Sequence, residues 1–420
     1  MIISELYKIY EKFPIICTDS RNIKKNSIFF ALKGENFNGN KFAKQAIHDG
    51  CKYAIIDDQN YCDNNCILVH DVKSTLQNLA EFHRNQINIP IIGITGSNGK
   101  TTTKELINSV LSSEYNCYST KGNLNNQIGL PLSILEINQS HEIAIIEMGA
   151  SEIGEINNLC RIAKPNSGII TNIGKAHLEG FGSFEGVIKA KTELYHFLKE
   201  NNGTQFVNKD DNLLIKKSNK ENRITYGKES NSDFIAKLNS SFPFISIKIK
   251  DTEINSNLVG EFQYDNIVAS SCIGNFYNIS YQNIKKSIEE YIPKNNRTEL
   301  IETENNNIIL DAYNANPSSM EAIIESFIKL DKDNKMCILG EMRELGIYSE
   351  EEHQKLINLM ISSEIECIFV GEEFFNLDKN NTYLKTSDLL DNITNYNLKN
   401  RTILIKGSRG IRLEDVVKHL

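Results

Sequence analysis

At 420 residues the chain is too long for one hydrophobic core and implies roughly two to four domains. A net charge of −8 and a pI of about 5.6 argue against nucleic acid as the main partner, so any anionic ligand must be held by local sites. No apolar run reaches membrane-spanning length, and Met1-Ile2-Ile3-Ser4-Glu5 carries no basic leader, so neither membrane insertion nor a signal peptide is expected. The nine cysteines are scattered. Cys51, Cys62 and Cys66 match no zinc spacing, and free buried thiols in a cytoplasmic protein are the better reading.

Residues 1–86 read as a small α/β domain. A strand at 27–32 is preceded by the polar turn Thr18-Asp19-Ser20-Arg21 and followed by Lys33-Gly34; a helix at 41–49 and a strand at 53–56 follow. Ser20 with Arg21, and Lys33 with Gly34, sit at strand ends where a diphosphate or a uridine could bind, although such turns are usually only turns.

Residues 87–294 form the central domain. The Ile-rich run at 89–94 predicts a buried parallel strand, and Leu106, Ile107, Val110 and Leu111 predict a helix beyond it. Between them lies Thr95-Gly96-Ser97-Asn98-Gly99-Lys100-Thr101-Thr102. Strand, tight loop, lysine and helix make a phosphate cradle. Gly96 and Gly99 allow close backbone approach, Lys100 reaches outer phosphates, and the Thr101 hydroxyl is placed for Mg²⁺. The spacing departs from GxxxxGK[ST], because five residues separate Gly93 from Gly99. Asn123, Asn125 and Asn126 lie in a loop that offers amides to a polar ligand or is simply solvated. A strand at 143–146 delivers Glu147 beside the cradle, suited to a second Mg²⁺ contact. A strand at 168–173 leads to His177, and the helix at 184–200 places Lys191 among Val187, Ile188, Leu194 and Tyr195. A lysine there needs a partner, a chemical role, or a route for its head to a carboxylate such as Glu193. Short strands at 204–263, among them an alternating one at 244–249, and helices at 264–277 and 282–291 complete the domain.

Residues 295–420 alternate strand and helix and predict a parallel sheet with its polar loops on one edge. Asn316 followed by Pro317 marks a helix start, and Ser349 with Glu352 reads as a capping box.

These stretches together resemble the Mur ligases across all three domains. Thr-Gly-Ser-Asn-Gly-Lys-Thr-Thr at 95–102 is shared with that superfamily; DAYNANPSSM at 311–320, LGEMRELG at 339–346 and KGSRG at 406–410 narrow the likeness. The resemblance implies a small α/β N-terminal domain for a UDP-sugar, a central parallel-sheet P-loop ATPase domain, and a C-terminal Rossmann-like α/β domain. It implies an ATP-dependent amide-bond ligase, acting through an acyl phosphate in peptidoglycan precursor synthesis. The substrates implied are UDP-N-acetylmuramoyl-tripeptide and D-alanyl-D-alanine, with ATP and Mg²⁺ as cofactors and a monomer expected. Whether the third peptide residue is lysine or diaminopimelate stays open, as do a sibling ligase adding another amino acid and a non-catalytic nucleotide-dependent scaffold. By resemblance, Gly96 to Thr102 hold phosphates, and Thr101, Glu147, His177 and Lys191 hold metal, with Lys191 carbamylated. Asn266 contacts adenine, and Arg297, Asp311 and Tyr313 complete the nucleotide site. Ser20, Arg21, Lys33 and Gly34 take the UDP-sugar; the 123–126 asparagines, Asn314, Asn316, Arg343 and Lys406 take the peptide substrates. Phe262 stands where the family often has His, and Ser151-Glu152 where Asn-His is expected.

Overall fold

Apolar runs too short for helices become strands buried on both faces, and these strands organise the chain. Ile91–Thr95 and Ile143–Glu147 are buried at every position. The computed structural model describes residues 2–61, 64–241 and 243–420, so Cys62 lies outside the described residues.

The N-terminal sheet has four parallel strands in the order Ile16–Cys17, Ile28–Phe30, Tyr53–Ile56, Cys66–Leu68. Lys33–Gly34 and Phe37–Asn38 form a separate two-stranded hairpin. The helix Val72–Arg84 ties this unit to the next: Arg84 donates to the carbonyls of Ala163 at 2.8 Å and Lys164 at 3.2 Å. One hydrophobic cluster runs from Leu6 through Leu76 to Leu159 and Leu194.

Seven parallel strands make the central sheet, in the order Phe234–Ile235, Arg223–Gly227, Thr204–Asn208, Ser167–Ile170, Ile91–Thr95, Ile143–Glu147, Cys117–Ser119. The chain first winds to one side of Ile91–Thr95 and then to the other, and a ligand crevice opens where winding reverses. Helices Lys100–Leu111 and Gln263–Phe276 cover one face; Glu155–Ala163 and Phe184–Glu200 cover the other. The strand expected at 168–173 ends at Ile170, and just beyond it the Thr171 and Asn172 side chains donate to the Asn98 carbonyl of the phosphate loop. The alternating stretch at 244–249 supplies Ser246–Ile249 of a small antiparallel sheet.

The C-terminal sheet has six strands: Glu299–Glu302 runs antiparallel to Asn306–Asp311, and Arg401–Lys406, Lys335–Gly340, Glu366–Val370 and Thr382–Tyr383 follow in parallel. Asn316 caps the helix Pro317–Ile328 as expected, its Oδ1 accepting from the Ser319 amide at 3.0 Å. The capping box expected from Ser349 and Glu352 does not form. A 3-10 turn, Gly346–Tyr348, runs straight into the helix Ser349–Ser363, so Ser349 is already helical and Tyr348 stands at the cap. Glu352 points instead to Lys175 and Lys355, at 2.7 and 3.0 Å.

Candidate active site

The loop after Ile91–Thr95 is shaped by two glycines. Gly96 has φ +145°, and a Cβ there would lie 2.0 Å from Thr171 Oγ1; Gly99 has φ +78° and would meet Asn266 Oδ1 at 2.6 Å. No larger residue fits either position. The loop is pinned from the neighbouring strand's end: the Asn98 amide donates to Asn172 Oδ1 at 3.0 Å, and Asn172 Nδ2 donates back to the Asn98 carbonyl at 3.0 Å. Lys100 folds over the loop, donating to the carbonyls of Gly96 at 2.7 Å and Ser97 at 3.0 Å. Burial pushes its ammonium below the ordinary lysine range, partly opposed by Glu147.

Thr101, in the first turn of the helix, donates to Glu147 Oε2 at 2.9 Å; Asn125 Nδ2 donates to the other carboxylate oxygen at 2.7 Å. Asn126 is used structurally, its Oδ1 accepting from Ile128 and Gly129. Asn266 has its amide engaged by Thr103 at 3.0 Å and Gln263 at 2.6 Å. That leaves one amide hydrogen free for a base.

The C-terminal domain closes the opposite side. Asn316 Nδ2 donates to Asn98 Oδ1 at 2.7 Å. Arg297 lies 3.7 Å over the Tyr313 ring, with Arg409 at 5.4 Å from the same ring. Asp311 and Lys406 are opposite each other on paired strands and form an ion pair at 2.6 Å, with Lys406 1% exposed. The open cleft between the domains is about 950 Å³ and is lined from all three parts of the chain. Lys33 reaches it from the N-terminal hairpin while pairing with Asp57 at 2.7 Å.

Nineteen of the residues singled out from sequence meet there; Asn123 and Asn314 are among them. Gly96, the first residue of the loop, is not part of the lining. Ser20, Arg21 and Gly34 lie outside the lining, and Arg21 is 87% exposed, paired with Asp19 at 2.7 Å. Arg343 also lies outside, its guanidinium over Gly410. Lys191 is 1% exposed beneath the cavity wall, donating to the Ala150 carbonyl at 3.3 Å and lying 5.1 Å over the Phe181 ring. Burial, and secondarily Lys100, pull its ammonium down to about 7. It does not snorkel to Glu193, whose oxygens accept from the Gly154 and Asn157 amides.

Sequence reasoning missed Asn172, Gln263, Asp265 and Glu344, all on the cavity wall. Asn172 had a local signal, a polar residue just past a parallel strand. Burial raises the Asp265 carboxyl to about 6. Glu344 comes from the C-terminal domain, its carboxyl held low by the His177 imidazole against it.

Among the described residues no three His, Cys, Asp or Glu side chains gather as a metal cage. The donor set nevertheless fits Mg²⁺. A hydroxyl and a carboxylate 2.9 Å apart face a phosphate cradle, and Mg²⁺ is commonly held by one or two carboxylates together with substrate phosphates.

A doubly wound sheet with this loop at its reversal point, closed by a second α/β domain, defines a nucleotide-dependent enzyme. The Mur ligase family, catalytic domain, matches residues 12–92, the Mur ligase middle domain 94–274, and the Mur ligase, glutamate ligase domain, 296–409. The chain belongs to the Mur ligase family. It is similar to the UDP-N-acetylmuramoyl-tripeptide--D-alanyl-D-alanine ligase of Bacillus subtilis (strain 168), 35% identical over 98% of this chain and 94% of that one. Its structure is similar to MurF from Acinetobacter baumannii, with a TM-score of 0.88, 27% identity and coverage of 100% and 98%. It is also similar to the MurF ligase of Thermotoga maritima in complex with ADP, with a TM-score of 0.84, 28% identity and coverage of 96% of each chain.

Proposed function

We propose that this chain joins D-alanyl-D-alanine to UDP-N-acetylmuramoyl-tripeptide with hydrolysis of ATP to ADP and phosphate. The observation that carries the reading is the cavity itself, where the phosphate loop faces Asp311, Asn316 and Lys406 on one side and Lys33 on another. One wall suits a triphosphate, one an incoming amine, and one a sugar diphosphate.

Chemistry follows from that placement. A carboxylate oxygen of the tripeptide attacks the γ-phosphorus, and ADP leaves. The dipeptide amine then attacks the acyl carbon, and phosphate departs through a tetrahedral intermediate. Lys100 and the loop amides stabilise charge on the transferring phosphoryl group. Thr101 and Glu147 would hold Mg²⁺, which supplies further stabilisation of that charge when bound. Arg297 and Tyr313 form a flat platform for the adenine, beside the free amide hydrogen of Asn266. Lys406 and Asn314 border the space left for the dipeptide.

Lys191 is assigned as a carbamate. Its neutral amine, populated because burial disfavours the ammonium, attacks CO₂; a C–N bond forms and a proton leaves to solvent. The product would be an anion and an oxygen donor, and with His177 it would suit a further Mg²⁺ contact. The domains divide near residues 86 and 294. ATP and a UDP-linked substrate suit a cytoplasmic reaction, and a cleft lined by one chain suits a monomer.

Phosphate release tests the reading. It should require ATP, the UDP-linked tripeptide and D-alanyl-D-alanine together. Equal release with a single amino acid in place of the dipeptide would turn the assignment toward a sibling ligase, and no release under any combination would refute it.

A further inference from the structure

We propose that Glu344 is a positioning residue for His177: the carboxylate of the C-terminal domain holds the imidazole by Nδ1 and leaves Nε2 as the atom offered to metal. The inference rests on the ligase reading and deepens it, because it makes one ligand of the central domain's site depend on the C-terminal domain.

His177 belongs to the central domain by sequence, but its segment packs with the C-terminal one. The Lys175 amide donates to Ser318 Oγ at 2.9 Å, and the Lys175 ammonium pairs at 2.7 Å with Glu352, which is 6% exposed. The Glu179 amide donates to the Glu344 carbonyl at 3.2 Å. Leu178 and Phe181 lie in the same hydrophobic cluster as Met320, Leu345 and Leu356. The loop is therefore fastened on both sides of His177 to elements more than 130 residues later in the chain.

Within this frame the pair is aimed. Nδ1 of His177 is in ion-pair contact with Oε2 of Glu344 and has no other polar partner among the described residues. Phe181 packs edge-on against the imidazole, at 6.3 Å and 85°, and limits rotation of the ring. Both partners hold left-handed backbone, φ 51° at His177 and 62° at Glu344. Non-glycine residues keep that conformation only where their surroundings over-determine it. Both side chains line the central cavity. A carboxylate accepting from Nδ1–H fixes the tautomer, so the Nε2 lone pair is the one available for coordination.

The test is Mn²⁺ binding to the full chain with ADP, followed by electron paramagnetic resonance, with ¹⁴N modulation in the spin echo as the sign of a coordinated imidazole. Wild type should show the modulation, and His177→Ala should lose it. Glu344→Ala should bind Mn²⁺ about 10–100-fold more weakly, the usual effect of removing an outer carboxylate, while its melting temperature stays at the wild-type value. Glu344→Gln keeps an acceptor oxygen for Nδ1–H and should remain near wild type. Unchanged Mn²⁺ affinity and modulation in Glu344→Ala would overturn the proposal. So would Glu344→Gln falling as far as Glu344→Ala, since the charge itself would then be the ligand. If wild type shows no modulation yet releases phosphate with all three substrates, the inference fails and the ligase reading stands. If wild type releases no phosphate, the ligase reading fails with it.

Discussion

Replacing Lys191 by Met should make the protein more stable and inactive. The ammonium is 1% exposed and its pKa falls from the ordinary 10.5 to about 7. In the unfolded chain it is protonated up to about 10.5. A folded-state value below the unfolded one means that folding loses stability wherever the unfolded chain binds the extra proton. The loss is nil above both values, grows as pH falls from 10.5 to 7, and is constant below 7. At pH 7 it comes to about 4 kcal/mol. Met removes it but also removes the 3.3 Å hydrogen bond to Ala150 and the contact with Phe181, worth about 1–2 kcal/mol together. The net gain is about 2–3 kcal/mol. For a domain of this size that raises the melting temperature by roughly 4–12 °C. Calorimetry in CO₂-depleted buffer reads it directly, and the gap between variant and wild type should narrow as pH rises from 7 to 10. A variant that melts at or below wild type at pH 7, or a gap indifferent to pH, would refute the reasoning. Turnover should be lost in the same variant with ADP binding retained, and Lys191→Arg should also be inactive, because it cannot become an anion.

Lys100→Ala should abolish turnover while the protein stays folded; near-normal phosphate release would remove Lys100 from the chemistry. Gly99→Ala places a methyl group 2.6 Å from Asn266 Oδ1 at positive φ; ATP affinity measured by calorimetry should fall about 5- to 150-fold, by roughly 1–3 kcal/mol of strain. Asp311→Ala leaves Lys406 buried and unpaired, so the C-terminal domain should lose about 3–5 kcal/mol in denaturant melts. Lys33→Ala should raise the KM for the UDP-linked substrate and leave the ATP KM alone; the reverse split would break the domain assignment.

How much was legible in the sequence depended on range. The phosphate loop, Glu147 at its strand end and the Asn316–Pro317 cap are local patterns, and each was readable because a strand, a turn or a cap is specified by a few neighbouring residues. The Ser349–Glu352 pair had the right local spacing and was misread, because no local rule reveals a preceding 3-10 turn or a lysine 177 residues earlier. Asn172 and Glu344 act across 74 and 167 residues, and only the topology brings them to the site. Arg21 and Arg343 carried the right charge for an anion, but a neighbouring carboxylate, Asp19 or Glu341, is the partner each finds.

The central claim is that the tripeptide carboxylate is activated by phosphoryl transfer and captured by the dipeptide. Mass spectrometry of both products answers it directly, starting from UDP-N-acetylmuramoyl-tripeptide with ¹⁸O in both oxygens of the reacting carboxylate. The account predicts one ¹⁸O in each phosphate released and one retained in the new amide of the pentapeptide. Phosphate free of ¹⁸O, or no pentapeptide at all, would contradict it.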